Sequence, residues 1–206
     1  MSAAPKIRAA ILISGRGSNM SALIEAAKDS NYAVEIVLVL SNVKDAPGLK
    51  LAQAAGIETV VVEHQPFGKD KAAFEQALQN ELEQKDIQLI CLAGFMRVLS
   101  GGFLKQWTNR IVNIHPSLLP AYKGLDTHQR VLDAKEKLHG CSVHYVTEEV
   151  DGGQLIAQMR VAVQDNDTAE TLAARVLQAE HKLYPKALLL VADRILRSPL
   201  QTKKRA

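Results

Sequence analysis

Apolar residues fall into short unbroken blocks and into stretches with helical spacing, and the two alternate along the first half of the chain. Ile7 to Ile13 is a nearly continuous apolar run, the pattern of a strand buried on both faces. Ser14-Gly15-Arg16-Gly17-Ser18-Asn19 interrupts it, and Met20, Leu23, Ile24 and Ala27 then recur at helical spacing. Val34 to Leu40 predicts a second strand, Leu49 to Ala55 a short helix closed by Gly56, and Ile57 to Val62 a third strand. Asp70 to Lys85 carries Phe74, Leu78 and Leu82 four apart, which predicts an amphipathic helix. Ile87 to Ala93 and Ile111 to Ile114 predict strands four and five. Such alternation implies parallel βαβ units with right-handed crossovers. Parallel sheets bind ligands beyond the carboxyl ends of their strands. The loops after Ile13, Ala93 and Ile114 all leave from that edge and can converge.

The second half has a different rhythm. Thr127 to Lys137 predicts a helix. Cys141 to Thr147 and Leu155 to Val163 are extended segments joined through the turn Asp151-Gly152-Gly153, which predicts an antiparallel pair added to the sheet. Asp167, with Glu170 three residues on, predicts a capping box for a last helix whose buried face is Leu172, Val176, Ala179 and Leu183. Pro185 should kink or interrupt that helix before a second apolar stretch ending near Leu196. The expected fold class is α/β: a Rossmann-like, mostly parallel sheet flanked by helices, with an antiparallel extension in the C-terminal half. No repeat, low-complexity stretch or linker is visible, so one domain over residues 1–206 is expected, with a core over about 6–197 and a basic tail over about 198–206.

Composition narrows the partners. The chain has 206 residues, 47% hydrophobic and 23% charged, ordinary for a globular domain. A net charge of +3, partly in the tail Lys203-Lys204-Arg205, and 4% aromatic content leave no stacking platform for RNA; no nucleic-acid partner is expected. The two cysteines, Cys91 and Cys141, form no CxxC and read as small buried hydrophobes in a reducing compartment. Met1 to Lys6 lacks a signal-peptide core, and Ala187 to Ala192 is too short to span a bilayer. A cytoplasmic protein with no membrane partner is expected, either monomer or homodimer.

Four stretches carry candidate chemistry. Residues two apart on a strand project to one side, so Asn113 and His115 point together at a strand end that Pro116 terminates. An amide can donate to an oxyanion, and an imidazole can carry a proton near neutral pH; the alternative is two polar residues satisfying backbone groups. Gly15-Arg16-Gly17-Ser18-Asn19 joins a strand to a helix N-terminus, which suits a single phosphate or is simply a tight turn. The dinucleotide fingerprint fails, because Met20 stands where a third glycine belongs, and no Gly-Lys-Ser/Thr makes a P-loop. Asp151 is either a turn former or a partner that raises the His115 pKa. Gly94-Phe95-Met96-Arg97-Val98-Leu99 places large apolar residues just past a strand end, as packing or as the wall of a pocket for a flat heterocycle. His144, alternating with Cys141, Val143 and Tyr145, reads as structural, and the other histidines lack zinc-ligand spacing, so no metal is expected.

Together, Ile13 to Asn19, Leu92 to Leu99, Asn113 to Pro120, and Gly140-Cys141-Ser142-Val143-His144 leading to Val150-Asp151-Gly152-Gly153 resemble the formyltransferases that use 10-formyltetrahydrofolate. The Gly-x-Gly-Ser-Asn turn and the length point to the branch acting on 5'-phosphoribosylglycinamide in purine synthesis. The resemblance runs to about Pro185 and implies a donor cosubstrate, 10-formyltetrahydrofolate, with no metal. It implies catalytic roles for Asn113, His115 and Asp151, with Asn113 as oxyanion donor and His115 charged through Asp151. It implies that Gly17, Ser18 and Asn19 hold the substrate phosphate and Glu180 the ribose hydroxyls. Lys71 and the two loops Met96, Arg97, Val98, Leu99 and Thr147, Glu148, Glu149, Val150, Asp151 would hold the folate, with Asn113 also against it. Lys71 stands where the resemblance suggests an Arg, keeping the cation but losing the planar fork. No role is implied for residues 121–126. Relatives with other acceptors are expected to need an additional N- or C-terminal domain. A phosphate-binding module without catalysis would leave Asn113, His115 and Asp151 unexplained.

Overall fold

A computed structural model describes residues 5–197; the basic tail expected over 198–206 lies outside them. Seven strands form one sheet in the order β3-β2-β1-β4-β5-β6-β7. They are β1 (Ile7–Ile13), β2 (Val34–Ser41), β3 (Glu58–Val61), β4 (Leu89–Leu92), β5 (Ile111–His115), β6 (Leu138–Tyr145) and β7 (Leu155–Ala162). The first five are parallel, and β5–β6 and β6–β7 pair antiparallel. This is the expected α/β architecture, antiparallel extension included.

Alternation along the buried strands builds two cores. Ile7, Ala9, Ile11 and Ile13 of β1 pack against α1 (Ser18–Ala27), α2 (Pro47–Ala54) and the last helix. Ala10 and Leu12 pack the other way, against α3 (Lys71–Gln84) and α4 (Gly101–Gln106). In β5, Ile111 joins the α3/α4 side while Val112 and Ile114 join the other. Asn113 and His115 therefore emerge on the α3/α4 side at the carboxyl edge, as period two requires. Tyr184, fully buried on the last helix, donates its hydroxyl to the Leu92 carbonyl at 3.0 Å or the Val112 carbonyl at 3.2 Å, fastening that helix to two central strands.

Four expectations change. The last helix, α6 (Ala169–Arg197), runs through Pro185 without interruption. Proline removes one backbone bond at about 3 kcal/mol, but Leu183, Tyr184, Ala187, Leu188 and Val191 are buried on either side of it. Burial of each large apolar side chain contributes about 1.5–3 kcal/mol, so packing keeps the helix whole. Its cap is Thr168, not Asp167: Thr168 Oγ1 accepts from Thr171 N, and Thr171 Oγ1 accepts from Thr168 N. Asp167 instead forms a two-pronged pair with Arg175, at 2.6 and 2.8 Å. The helix expected to reach Lys137, α5 (Thr127–Asp133), stops earlier, because Lys135 takes a left-handed conformation and β6 begins at Leu138. Helix α4 was not expected, since Gly101-Gly102 opens it and glycine is a poor helix former. Ser100 caps it by accepting from Phe103 N, and Phe103, Leu104 and Trp107 are buried beneath it.

Candidate active site

The ends of β1, β4 and β5 lie side by side, and the site grows from them. Asn113 stands opposite His144 across the β5–β6 ladder, and His115 opposite Ser142. The Asp151 turn folds back over this pair. Asp151 Oδ2 lies 3.3 Å from His115 Nδ1, and Oδ1 lies 3.5 Å from His144 Nε2. Asp151 is left-handed at φ 52°, a conformation Asp tolerates better than most residues. Gly153 is required there, because a Cβ would come within 1.7 Å of the Tyr145 carbonyl oxygen.

Loop 116–126, to whose residues 121–126 no role was assigned, closes the other side. The Tyr122 carbonyl lies 2.9 Å from His115 Nε2, and Gly124 N–H donates to Asp151 Oδ2 at 2.9 Å. Ser142 secures the loop base, donating to the Ser117 carbonyl at 2.6 Å and accepting from Leu119 N–H at 3.0 Å. Tyr122 and Gly124 act through backbone atoms, which side-chain motifs cannot reveal; Gly124, left-handed at φ 79°, was the one available cue.

The electrostatics differ from expectation at His115. A carbonyl only accepts, so the bond to Tyr122 places a proton on His115 Nε2. Burial pushes the ring's pKa below its ordinary value. The Tyr122 carbonyl and the Asp151 carboxylate pull it back up without overtaking, and His144 and Arg130 lower it further. The resting ring is neutral at pH 7 rather than charged, because desolvation outweighs the carboxylate. Its Nδ1 lone pair then faces Asp151, poised to take a proton. Asp151 itself is held below the usual carboxylate range: burial pushes it up, but hydrogen bonding with the His144 ring and the Gly124 N–H outweighs that. His144, read as structural from sequence, therefore touches both Asp151 and Asn113, the latter at 3.3 Å.

The phosphate-type turn lies at the end of β1. Gly17, at φ 73°, opens α1, and no side chain among the described residues caps that helix. The N–H groups of its first turn are free to meet an anion. Asn19 points to α6, donating Nδ2–H to Glu180 Oε2 at 2.7 Å. Its buried Oδ1 has no hydrogen-bond partner among the described residues. Burial pushes the Glu180 carboxyl up, and the Asn19 bond brings it partly back. Asn19 and Glu180, expected to hold adjoining parts of one substrate, are thus in direct contact.

The two loops expected to hold folate flank the pair. Met96 is 67% exposed and Val98 61%, whereas Leu99 is buried in the α3/α4 core and offers a ligand only backbone. Val150 and Leu125 are exposed as well. The Glu148 carboxylate packs over Gly101, which joins the two loops. Ser14 ties the turn after β1 to the first loop: its hydroxyl accepts from Met96 N–H at 2.8 Å and donates to Asn42 Oδ1 at 2.5 Å. Arg97 is exposed beside it. Lys71 lies 4.0 Å from Glu75, whose carboxylate accepts from Ser100 N–H at 2.6 Å, which sets Lys71 behind this loop. Thr147 Oγ1 donates to the Glu149 carbonyl, and Glu149 pairs with Lys123 at 2.6 Å, stitching the second loop to loop 116–126. No cluster of His, Cys, Asp and Glu suited to a metal occurs among the described residues.

The sequence and the fold both have counterparts among known proteins. Residues 7–188 match the family model described as formyl transferase. The chain is 42% identical over 183 residues to phosphoribosylglycinamide formyltransferase of Escherichia coli, covering 89% of this chain and 86% of that protein. It is 50% identical over 188 residues to the trifunctional purine biosynthetic protein adenosine-3 of Gallus gallus, covering 91% of this chain but only 19% of the relative. The crystal structure of phosphoribosylglycinamide formyltransferase from Brucella melitensis superposes with a TM-score of 0.87 at 54% identity, covering 91% of this chain and 96% of that one. A shared fold, identity of this depth and the coverage of single-function relatives agree: the chain belongs to the formyl transferase family.

Proposed function

We propose that the chain, as a single domain over about residues 6–197, transfers the formyl group of 10-formyltetrahydrofolate to the amine of 5'-phosphoribosylglycinamide. The observation that carries this reading is the Asn113–His115–Asp151 constellation, set between an uncapped helix N-terminus and two loops with exposed apolar side chains. Phosphate at Gly17, Ser18 and Asn19 and ribose at Glu180 would aim the glycinamide amine at β5. The pterin would lie against Met96, Arg97 and Val98 on one side and Thr147 to Asp151 on the other, near Lys71. Both substrates are small molecules, and the reaction belongs to the cytoplasm.

The chemistry follows from the donors. The amine attacks the formyl carbon, a C–N bond forms, and the carbonyl oxygen becomes an oxyanion. Asn113 N–H and His115 Nε2–H donate to it, each group worth about 10²–10³ in rate. The Tyr122 carbonyl, 2.9 Å from Nε2, would have to give up that N–H to the reacting oxygen. A second negative charge beside the ring raises its proton affinity, and Asp151 sits across Nδ1 to stabilise the imidazolium. Nδ1 faces Asp151 rather than the amine, so the proton that leaves the amine passes along the substrate edge of the ring. Collapse breaks the bond to the folate nitrogen, which receives that proton, so atoms and charge balance. The formyl group arrives already activated, so the step needs neither ATP nor a metal.

The test is to mix the protein with 10-formyltetrahydrofolate, with and without 5'-phosphoribosylglycinamide, and follow folate absorbance. Acceptor-dependent release supports transfer. Acceptor-independent release shows hydrolysis instead, and no release overturns the reading.

A further inference from the structure

His144 is 2% exposed and lies directly opposite Asn113 in the β5–β6 register. Its Nδ1 is 2.9 Å from the Tyr145 carbonyl, and a carbonyl only accepts, so Nδ1 carries a proton. In the neutral ring, Nε2 is then an acceptor with a lone pair. Two groups face it: Asn113 Nδ2 at 3.3 Å and Asp151 Oδ1 at 3.5 Å. Only the Asn113 amide can donate to a lone pair. Asp151 draws on Gly124 N–H, and takes a hydrogen bond from the His144 or His115 ring only when that ring is charged, so the contact open to Nε2 of a neutral His144 is the 3.3 Å one to Asn113.

A carboxamide at a strand end can turn by half a rotation and present either oxygen or N–H to a substrate. Presenting the oxygen to a developing oxyanion would be repulsive, so its orientation decides whether Asn113 helps or hinders. The geometry points to His144 as the positioning residue that fixes this orientation, through the juxtaposition of its Nε2 with Asn113 Nδ2. With one amide N–H bound to the ring, the second is left for the reacting oxygen, and the amide oxygen is turned away. Tyr145, the next residue on the same strand, locks the ring tautomer on which this depends. The inference deepens the proposed formyl transfer and rests on it for its kinetic consequence, but not for the hydrogen bond itself.

Two substitutions separate the ring nitrogens. His144→Asn replaces the Nδ1 donor toward Tyr145 but removes the acceptor toward Asn113. His144→Gln reaches the Nε2 position and keeps an acceptor there. The expected result is that His144→Asn lowers kcat about 10–100-fold with KM for both substrates within about threefold, and His144→Gln stays within about fivefold of wild type. In a double-mutant cycle, His144→Asn should cost nothing further in an Asn113→Ala background, because the group it positions is gone. Multiplied losses in the double variant, or a folded His144→Gln as slow as Asn113→Ala, overturn the inference. Should His144→Asn fail to fold, the His144→Gln comparison stands alone. Nuclear magnetic resonance of the Asn113 carboxamide needs no turnover: wild type should show one slowly exchanging N–H proton that His144→Asn loses and His144→Gln keeps. Two equivalent, fast-exchanging protons in wild type would also overturn it. Absence of transfer by wild type, with the bonded proton present, would instead sink the formyl-transfer reading alone.

Discussion

Two residues of the Asp151 turn bear different burdens, and substitutions tell them apart. Asp151 contributes a charge: it faces His115 Nδ1 at 3.3 Å and is itself held ionised by the Gly124 N–H and the His144 ring despite burial. Asp151→Asn keeps the shape but removes the charge that stabilises a protonated His115. Steady-state kinetics should show kcat lower by about 10²–10⁴, with KM for the phosphoribosyl substrate changed by less than about threefold; unchanged turnover would refute the His–Asp assignment. Gly153 contributes only space. A Cβ there meets the Tyr145 carbonyl at 1.7 Å, so Gly153→Ala must displace the turn that carries Asp151. It should lower kcat and the unfolding free energy together, by at least about 2 kcal/mol for the latter in urea denaturation. A charge variant that folds normally and a space variant that does not would form the expected contrast.

At the scale of elements, the last helix shows where pattern reasoning succeeds and where it fails. Its buried face, Leu172, Val176, Ala179 and Leu183, was legible from spacing. Its continuity through Pro185 was not, because that depends on a sheet surface which only the folded chain provides. Pro185→Ala restores a backbone N–H inside α6, while the bond from Tyr32 Oη to the residue-185 carbonyl can remain. The melting temperature should rise by about 3–8 °C in calorimetry, for a gain of about 1–2 kcal/mol; no rise would mean that α6 is kinked in solution. The same boundary explains the site. Asn113, His115 and Asp151 were legible because strand alternation and a Gly-Gly turn are written in side chains. Tyr122 and Gly124 were not, since they contribute a carbonyl and an N–H from a loop without periodic pattern. His144 was visible but its neighbours were not: alternation gave its face, and only the β5–β6 register set it against Asn113.

Across the whole molecule, four of the six histidines are shifted in one direction, and that makes the fold acid-sensitive. Burial lowers the pKa of His115, His128, His139 and His181, and His139 is pushed down to about 4. His139 is buried on β6 and faces His128 of α5, ring nitrogens 3.0 Å apart, so protonating both puts like charges in contact. A folded pKa below the unfolded value means that the unfolded chain binds more protons between the two. Stability is therefore complete above about pH 6.5 and falls as pH drops toward 4, the window set by His139. Against an unfolded pKa of 6.5, His139 alone costs about 2 kcal/mol at pH 5. The buried Glu180, whose carboxyl is raised, acts in the opposite sense, because lowering the pH favours its neutral folded form. Calorimetry should find the melting temperature about 4–8 °C lower at pH 5 than at pH 7. His139→Asn, which keeps a polar side chain facing His128 but cannot take up a proton, should flatten that slope. A slope unchanged by the substitution would move the acid sensitivity to His115 and the catalytic edge, where it would appear as lost activity before lost structure.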